Sequence, residues 1–336
     1  MYFTSKKIKS ATKKNFLYMK IIGTGSAIPS KVVTNEMLAS FLDTNDEWIT
    51  TRTGIKTRRL RSTETLVDLA VSAARSAVES ASLLPDEIDF CICSNVANNY
   101  VTPALSCIVQ QHLKSHAPCF DLNGACAGFL DALAVAEAML KTNRAKNVLI
   151  VCAEEPTRFC NWKRRETSIL FGDGAGAVVV TKGNDLKAIR LTTVPNRDVI
   201  VYQRRMENTP FEVPGVDITE PLIMNGREVF RMAVESSQRD LRGVIEEAGL
   251  TPDKIDLYLL HQANQRIIKS IQEHLAQPAY KFPTNIERMG NTSSASIPIL
   301  IDELYSSGRL RKGDMLALSA FGAGFVTGAA VLRWSK

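Results

Sequence analysis

The sequence contains no run of about 18 uncharged apolar residues, the length that a membrane-spanning helix needs. No segment is therefore predicted to cross a membrane. The first 18 residues hold five lysines and no acidic residue, and they lack the apolar core of a secretory signal. Residues 1–18 are predicted to form a flexible basic leader. A transit peptide is the less favoured alternative, because the leader has no arginine.

Motifs for metal or nucleic-acid binding are also missing. Cys91 and Cys93 form a C-x-C pair without a second pair at zinc-ligand spacing, so both are predicted to be buried core residues. The net charge of +6 is modest, and no groove-reading motif appears, which excludes nucleic acid but allows an acidic partner. Seven cysteines, an odd number in mostly apolar settings, favour reduced thiols and a cytoplasmic location.

An internal repeat organises the chain. Leu84–Asp89 recurs as Thr251–Asp256, and Asn147–Ala153 recurs as Asp314–Ala320, both 167 positions later and in the same order. Both halves then end in a glycine-rich strand, FGDGAGAVVV and FVTGAAVLRW. We therefore predict an α/β fold made of two similar halves, with helices alternating with strands. The halves are predicted to span 19–185 and 186–336.

The repeat also predicts where ligands bind. The same offset places His261 opposite Ser94 and Ser293 opposite Cys126, at strand ends or helix starts. Ligands of α/β sheets bind at such positions. The segment 154–167 has no counterpart in the second half and is rich in Arg, Lys and Trp. It is predicted to be a binding loop.

Cys126 lies in DLNGACAGF, between the predicted strand APCFDL and a helix whose apolar residues recur at helical spacing. A cysteine at a helix N-terminus lies in the positive field of the helix dipole, which favours the thiolate. The small neighbouring residues leave room for a substrate. A buried cysteine that packs the turn explains the motif equally well, so both roles stay open at this point.

Three further motifs give Cys126 possible partners. His261 follows the strand LYLL, where a lone histidine is more often structural than catalytic. Asn291 precedes the helix IPILIDELY, where an asparagine commonly caps a helix or forms a turn. The segment Phe321–Phe325 is either a simple turn or a source of backbone N–H groups for an oxyanion. Together they compose a Cys/His/Asn set on a duplicated scaffold.

The chain resembles the β-ketoacyl-acyl-carrier-protein synthase III family of the thiolase-like superfamily, because it contains six motifs in the order in which that family has them. They are IIGTGSAIPSKVVTN, TNDEWITTRTGIKTRR, DLNGACAGF, FGDGAGAVVV, HQANQRI and GNTSSAS. The resemblance implies a thiolase-like fold with a layered αβαβα core and a homodimer. It implies decarboxylative Claisen condensation of an acyl-CoA with malonyl-acyl carrier protein, giving the 3-oxoacyl product that initiates fatty acid synthesis. No cofactor is implied, since acyl-CoA is a substrate.

The resemblance also implies catalytic roles. Cys126 would take the acyl group from coenzyme A. His261 and Asn291 would hydrogen-bond the thioester carbonyl of the malonyl group and stabilise the enolate left by decarboxylation. The backbone N–H groups of Cys126 and Ala323 would hold the oxyanion of acyl transfer. Asn264 would order the site near the pantetheine arm.

Coenzyme A contacts are implied in the same way. Trp48 and Arg165 match a tryptophan and an arginine that clamp the adenine, and Arg52 matches a phosphate contact. An indole and a planar guanidinium are suited to stacking on a base. The resemblance also places Gly226 and Phe230 in the substrate site.

Arg231 and Arg266 match the basic patch that meets the acidic carrier protein. Two lysines usual on the following helix are replaced by Glu273 and His274, so carrier docking is expected to differ or weaken. Lys269 would compensate for their loss.

Several features bear on the primer and the dimer. Thr102 matches the position that gates acyl length across the dimer, and its small side chain indicates room beyond acetyl. The apolar stretch Cys107–Val109 is predicted to be a strand at the dimer interface. The segment 186–225 lacks the family's usual Asp-Gly-Ser-Gly-like stretch, and the sequence FGAGFVTG has a valine where an aromatic residue is common. A role in specialised metabolism therefore stays open.

Two other function classes are compatible with the same residues. A thioester-cleaving or acyl-transferring enzyme would use the Cys/His/Asn set without forming a carbon–carbon bond. A non-catalytic carrier-binding subunit is disfavoured, because the nucleophile is intact. A 3-hydroxy-3-methylglutaryl synthase-like enzyme would need a catalytic glutamate, for which the sequence offers no matching motif.

Overall fold

The computed structural model describes residues 19–202 and 222–336. The predicted leader, 1–18, and the part of 186–225 between these ranges lie outside the described residues. The strands are β1 (Lys20–Ala27), β2 (Lys31–Thr34), β3 (Thr57–Leu60), β4 (Phe90–Ser94), β5 (Cys119–Leu122), β6 (Asn147–Glu154), β7 (Gly174–Thr181), β8 (Leu186–Asn196), β9 (Ile200–Tyr202), β10 (Leu222–Met224), β11 (Leu257–Leu260), β12 (Met315–Gly322) and β13 (Gly324–Arg333). The helices are α1 (Asn35–Ala39), α2 (Asp46–Thr53), α3 (Leu66–Ser80), α4 (Leu105–Leu113), α5 (Gly128–Lys141), α6 (Arg165–Ser168), α7 (Gly226–Glu247), α8 (Gln265–Leu275), α9 (Ile286–Met289) and α10 (Ser296–Ser306).

Two sheets carry the fold, and their strand orders correspond. The first runs β1-β7-β6-β4-β5 and the second runs β8-β13-β12-β11. The glycine-rich strands β7 and β13 each pair antiparallel with both of their neighbours. In each sheet the following pair, β6 with β4 and β12 with β11, is parallel. The prediction of two similar α/β halves is therefore confirmed. The boundary at 185/186 coincides with the start of β8.

The sheets and helices form five layers. Helix α3 covers the outer face of the first sheet, α5 and α10 lie between the sheets, and α7 and α8 cover the outer face of the second. Strand β6 shows why both faces are apolar, since alternate side chains of a strand point to opposite faces. Val148 and Ile150 join the central core, whereas Leu149 and Val151 join the core under α3.

Cysteines of β4 follow the same rule. Cys91 and Cys93 are both buried on one face of the strand, in the core under α3. Among the described residues, no group of three or more His, Cys, Asp or Glu side chains is arranged to hold a metal ion. Within the same part of the chain, no helix is long and apolar enough to cross a membrane.

The strand predicted at Cys107–Val109 is wrong, because these residues lie within helix α4. The side chain of Asp121, on β5, accepts hydrogen bonds from the backbone N–H groups of Leu105 and Ser106, at 2.7 and 2.8 Å. A carboxylate at the first turn satisfies N–H groups that a helix leaves unpaired. This cap comes from a residue distant in sequence, so local apolar character alone did not indicate a helix.

The insertion predicted in the first half is present. Residues 155–173 connect β6 to β7, whereas Ala323 alone connects the equivalent strands β12 and β13. The inserted segment forms a short 3-10 turn, Pro156–Phe159, and helix α6. Its last residues return to the ends of the strands, where the cavity described below opens.

Candidate active site

A cavity of about 940 Å³ opens at the ends of the strands, with walls from both halves of the chain. Most residues expected in the site line it. They are Trp48, Arg52, Cys126, Gly226, Phe230, His261, Asn264, Arg266, Asn291 and Ala323. The predicted residues outside its walls are Thr102, Arg165, Arg231 and Lys269.

Cys126 occupies a 3-10 turn, Ala125–Ala127, between β5 and α5. Ala125 has a φ of +45°, a left-handed conformation that is strained for a residue with a Cβ atom. The Ala125 N–H donates to Asn123 Oδ1 at 3.1 Å, which supports this sharp turn. The turn carries the Cys126 side chain from the end of a strand into the cavity.

Burial opposes the thiolate that a helix terminus would favour at Cys126. The pKa of the Cys126 thiol is raised to about 12, mainly by burial, and the nearby charge of Glu154 acts in the same direction. A hydrogen bond with Ser293 acts in the opposite direction but is the weaker effect. In the substrate-free cavity the thiol therefore keeps its proton at neutral pH.

His261 follows β11 directly and is buried. Its backbone N–H donates to the Ser319 carbonyl at 2.8 Å, and the imidazole edge packs against Phe321. Burial lowers the pKa of His261 to about 3, so the ring is neutral at physiological pH.

Ser296 contacts the Nδ1 side of the His261 ring. Ser296 Oγ lies 2.7 Å from His261 Nδ1 and accepts a hydrogen bond from the Gln262 backbone N–H at 3.4 Å. We assign the Ser296 hydroxyl as the donor to Nδ1, which leaves its oxygen to accept from the Gln262 N–H. Nε2 then carries the proton and is the donor that His261 offers to the cavity.

Asn291 is fixed as a second donor. Its backbone N–H donates to the Leu170 carbonyl at 2.9 Å, and its carbonyl accepts from the Gly172 N–H at 3.0 Å. Its side-chain Oδ1 accepts a hydrogen bond from the Ser293 N–H at 2.8 Å. Since the oxygen is held by the backbone, the Nδ2 amide group is the end that offers hydrogen bonds to a ligand.

The glycine-rich turn after β12 lies against the Cys126 turn. A Cβ atom added at Gly322 would lie only 2.7 Å from the Cys126 backbone nitrogen. Glycine is required here because the two backbones approach so closely. Cys126, Gly322 and Ala323 all line the cavity.

An aromatic and cationic cluster lies at the cavity mouth. The Arg52 guanidinium lies 4.4 Å from the centre of the Trp48 ring, and that of Arg165 lies 4.7 Å from it. Arg165 also pairs with Asp43 through an Nη1 to Oδ2 distance of 3.3 Å. Although Arg165 is outside the cavity wall, the structure brings these three predicted residues together.

Asn264, Gly226 and Phe230 lie on the α7 and α8 side of the cavity. Asn264 caps α8, with its Oδ1 accepting from the Arg266 N–H at 2.8 Å, and its Nδ2 donates to the Arg52 carbonyl at 3.1 Å. The Arg266 guanidinium lies over the Phe230 ring, 5.8 Å from the ring centre. A Cβ atom at Gly226 would meet open space, so packing does not demand glycine there.

The cations expected to meet a carrier protein differ in their pairing. Arg231 forms ion pairs with Glu228 and with Glu235, the latter through an Nη1 to Oε2 distance of 2.7 Å. Lys269 lies 3.8 Å from Glu273. These pairs between neighbouring turns of a helix reduce the charge that a partner would meet.

Thr102 is exposed three residues before α4, away from the cavity of its own chain. Two residues to which the sequence assigned no chemical role lie much closer to the nucleophile. Ser293 Oγ is 3.4 Å from Cys126 Sγ, and Glu154 is buried behind Ser293. The internal repeat had placed Ser293 opposite Cys126, but it offered no chemical role for it.

Comparisons with known proteins agree with this geometry. Two family models match, 3-oxoacyl-[acyl-carrier-protein] synthase III at residues 120–195 and its C-terminal part at residues 245–334. The chain is 41% identical over 316 residues to β-ketoacyl-[acyl-carrier-protein] synthase III of Aquifex aeolicus, covering 94% of this chain and 99% of that protein. It is 40% identical over 322 residues to the enzyme of that name from Clostridium acetobutylicum, covering 95% and 99%.

A solved structure is equally similar. The crystal structure of 3-oxoacyl-[acyl-carrier-protein] synthase III from Aquifex aeolicus superposes with a TM-score of 0.88 at 40% identity, covering 94% of this chain and 100% of that one. The thiolase-like fold expected from the sequence is thereby confirmed. The chain belongs to the β-ketoacyl-[acyl-carrier-protein] synthase III family of condensing enzymes.

Proposed function

We propose that this enzyme transfers an acyl group from coenzyme A to Cys126 and condenses it with malonyl-acyl carrier protein, releasing carbon dioxide and a 3-oxoacyl-acyl carrier protein. One observation carries the assignment of residues. Cys126, neutral His261 and the amide of Asn291 line a single cavity between the two halves. A nucleophile beside two uncharged donors suits acyl transfer followed by enolate formation.

In the first step, Cys126 attacks the thioester carbonyl of the acyl-CoA. Negative charge develops on the carbonyl oxygen, and the backbone N–H groups of Cys126 and Ala323 are placed to donate hydrogen bonds to it. The intermediate collapses, coenzyme A leaves and the acyl group stays on the sulfur. The close approach of Gly322 to the Cys126 nitrogen keeps the wall beside this N–H free of side-chain atoms.

In the second step, the malonyl thioester loses carbon dioxide, and an enolate forms on its thioester oxygen. His261 Nε2–H and the Asn291 amide donate hydrogen bonds to that oxygen. The enolate carbon attacks the acyl carbonyl, and the Cys126 sulfur leaves. Because the pKa of His261 is lowered to about 3, its donor form persists at physiological pH, and His261 is not expected to titrate near pH 7.

Coenzyme A would enter past the cluster of Trp48, Arg52 and Arg165. We expect Trp48→Ala to raise the KM for acyl-CoA about tenfold, because stacking of a base against an indole and a guanidinium contributes about 1 to 2 kcal/mol. Turnover of acyl-pantetheine, which has no adenine, should not change. The control is Lys163→Ala, which removes an exposed cation from the inserted loop that carries Arg165. Equal losses with both substrates would contradict an adenine contact.

The acyl carrier protein would dock beside α7 and α8. We expect Arg266→Ala to raise the KM for malonyl-acyl carrier protein about tenfold at low salt and Arg231→Ala to raise it less than about threefold. The reason is that Glu228 and Glu235 already compensate Arg231, whereas Arg266 has no ion pair among the described residues. Malonyl-pantetheine, which lacks the protein, is the reference substrate. An equal effect of both variants would contradict this ranking.

A homodimer is part of the proposal. Strand β5 is an end strand of its sheet within the described part of the chain, and an open edge pairs readily with another strand. Helix α4 packs on β5, and Thr102 lies just before α4, so a second copy bound there would bring Thr102 near its partner. The seven cysteines are free, in keeping with the proposed cytoplasmic location.

The test uses a panel of acyl-CoA thioesters followed by malonyl-acyl carrier protein. We expect intact-protein mass spectrometry to show one acyl group on Cys126, then its loss with formation of 3-oxoacyl carrier protein and carbon dioxide. Acylation of Cys126 without carbon dioxide release would indicate an acyltransferase or thioesterase instead. Absence of any acyl-enzyme would indicate a carrier-binding subunit. The member of the panel that acylates fastest identifies the primer.

A further inference from the structure

Glu154 is a fully buried carboxyl group at the end of β6, and the steps above give it no role. Its Oε1 accepts hydrogen bonds from Ser294 Oγ at 2.6 Å and from Ser293 Oγ at 3.2 Å. Its Oε2 accepts one from the Val96 backbone N–H at 3.2 Å. Within the described residues no cation pairs with it. Burying a carboxylate without a cation is unfavourable, which makes its position beside the nucleophile informative.

Ser293 connects this carboxyl group to Cys126. Its Oγ lies 3.4 Å from Cys126 Sγ and 3.2 Å from Glu154 Oε1. A hydroxyl group has one hydrogen, so it cannot donate to both neighbours at once. When it donates to the carboxylate, its oxygen can accept the hydrogen of the Cys126 thiol. A continuous path for a proton then runs from the thiol to Glu154.

We propose that Ser293 and Glu154 form a proton relay that takes the Cys126 proton during acylation. The inference rests on the proposed role of Cys126 as the nucleophile. As the bond between sulfur and the carbonyl carbon forms, the thiol proton passes to Ser293 Oγ and the hydroxyl proton passes to Glu154. As the bond from that carbon to the coenzyme A sulfur breaks, the proton returns along the same path. It leaves on the free coenzyme A thiol, so the step needs no other reactant.

The acidities of the groups explain the need for a relay. The pKa of Cys126 is raised to about 12, so the thiol must lose its proton during the attack. The pKa of His261 is lowered to about 3, and its Nδ1 already contacts Ser296. Burial raises the pKa of Glu154 to about 7, which matches a proton acceptor to neutral pH.

The groups that face Glu154 are few. The Cys126 thiol faces it from the turn before α5, and the Cys152 thiol lies on β6 itself. Uncharged donors complete the set, namely two serine hydroxyl groups from the turn before α10 and one N–H after β4. Burial raises the pKa of Cys152 far above its ordinary value, so that thiol stays protonated. Above about pH 7 Glu154 is therefore ionised while Cys126 still keeps its proton.

The test measures the rate of Cys126 acylation by acyl-CoA from about pH 5 to about pH 9. In the wild-type protein we expect the rate to rise through about pH 7, the pKa of Glu154, because the carboxylate accepts the proton. Ser293→Gly and Glu154→Gln are expected to lower the rate at neutral pH about 10²-fold and to abolish that rise. Glycine suits position 293 because its φ is +53°, so the hydroxyl group is removed without added strain.

Ser294→Ala is the matched control. It removes a hydrogen bond to the same carboxylate oxygen but leaves the path through Ser293. Since that hydrogen bond lowers the pKa of Glu154, its loss should move the rise to higher pH without abolishing it.

Thermal unfolding checks the fold of the glutamine variant. The folded-state pKa of Glu154 is raised, so the stability that its neutral form contributes is lost as the pH rises through about 7. Glu154→Gln should therefore unfold at a temperature no lower than the wild type near pH 8.

The outcomes separate two failures. Loss of the rise in Ser293→Gly and Glu154→Gln, with its retention in Ser294→Ala, supports the relay. An unchanged pH profile in a folded Glu154→Gln variant overturns the relay but leaves Cys126 as the nucleophile. An acyl group found on a residue other than Cys126 in the wild-type protein overturns the proposed function itself.

Discussion

A Cys126→Ala variant is expected to lose acylation by acyl-CoA by a factor of about 10⁴ or more, yet to keep releasing carbon dioxide from malonyl-acyl carrier protein. Cys126 is the only cysteine among the described residues that line the cavity, so no second thiol replaces it. Decarboxylation needs only donors for the enolate oxygen, and His261 and Asn291 remain. Acyl-enzyme formation by mass spectrometry and carbon dioxide release measure the two half-reactions separately.

A His261→Ala variant should show the reverse pattern. Removal of one donor to a developing oxyanion typically lowers a rate by about 10² to 10³, so decarboxylation should fall by that factor while Cys126 still takes an acyl group. Ser296→Ala frees Nδ1 without removing the ring, and it should therefore lose only part of this activity. If Cys126→Ala and His261→Ala lowered both half-reactions equally, the division of labour between these residues would be wrong.

The internal repeat is the part of the fold that could be predicted from the sequence. Strands β6 and β12 are buried on both faces, so each must be apolar along its length, and the two segments resemble each other for that reason. Cys126, His261 and Asn291 come together because each follows a strand end or precedes a helix at the same end of the duplicated scaffold. Local pattern and the offset between halves placed these residues at strand ends and helix starts, and the family resemblance supplied their roles.

Glu154 could not be predicted in the same way. In sequence it is only the last residue of a buried strand and the first of the inserted segment. Its importance depends on the turn before α10, which brings Ser293 and Ser294 to its carboxyl group from 139 and 140 positions away. The raised pKa of the Cys126 thiol could not be predicted for the same reason. The helix terminus was visible in the sequence, but the burial and the neighbouring carboxylate that raise the thiol pKa were not.

The ion pairs of Arg231 could be predicted from the sequence. Glu228 and Glu235 stand three positions before and four after it, on one face of α7. Such spacings place side chains on adjacent turns of a helix. The family resemblance assigns Arg231 to a docking patch, but its helical neighbours compensate its charge. Its contribution to carrier binding is therefore expected to be smaller than that of Arg266.

A Gly322→Ala variant is expected to lose acylation by a factor of about 10² to 10³. The new methyl group would lie 2.7 Å from the Cys126 nitrogen and 3.0 Å from the Ala125 Cβ atom. These are atoms of a sharp backbone turn, which cannot swing aside as the end of a long side chain can. The methyl group would therefore either cover the N–H that receives the oxyanion or displace the turn that carries the nucleophile. The measurement is the rate of acyl-enzyme formation at saturating acyl-CoA.

The neighbouring strand offers a matched control for this substitution. A Cβ atom at Gly328 would lie 3.0 Å from Leu191 and 3.1 Å from Leu130, at the methyl ends of side chains that can adjust, and its backbone contact, with the Arg190 carbonyl oxygen, is longer at 3.3 Å. Gly328→Ala should therefore acylate at a rate close to that of the wild type. Inhibition by free coenzyme A should be equal in both variants, because the proposed coenzyme A contacts, Trp48 and Arg52, lie away from the turn. A Gly322→Ala protein that acylates normally would show that the Cys126 N–H does not bind the oxyanion.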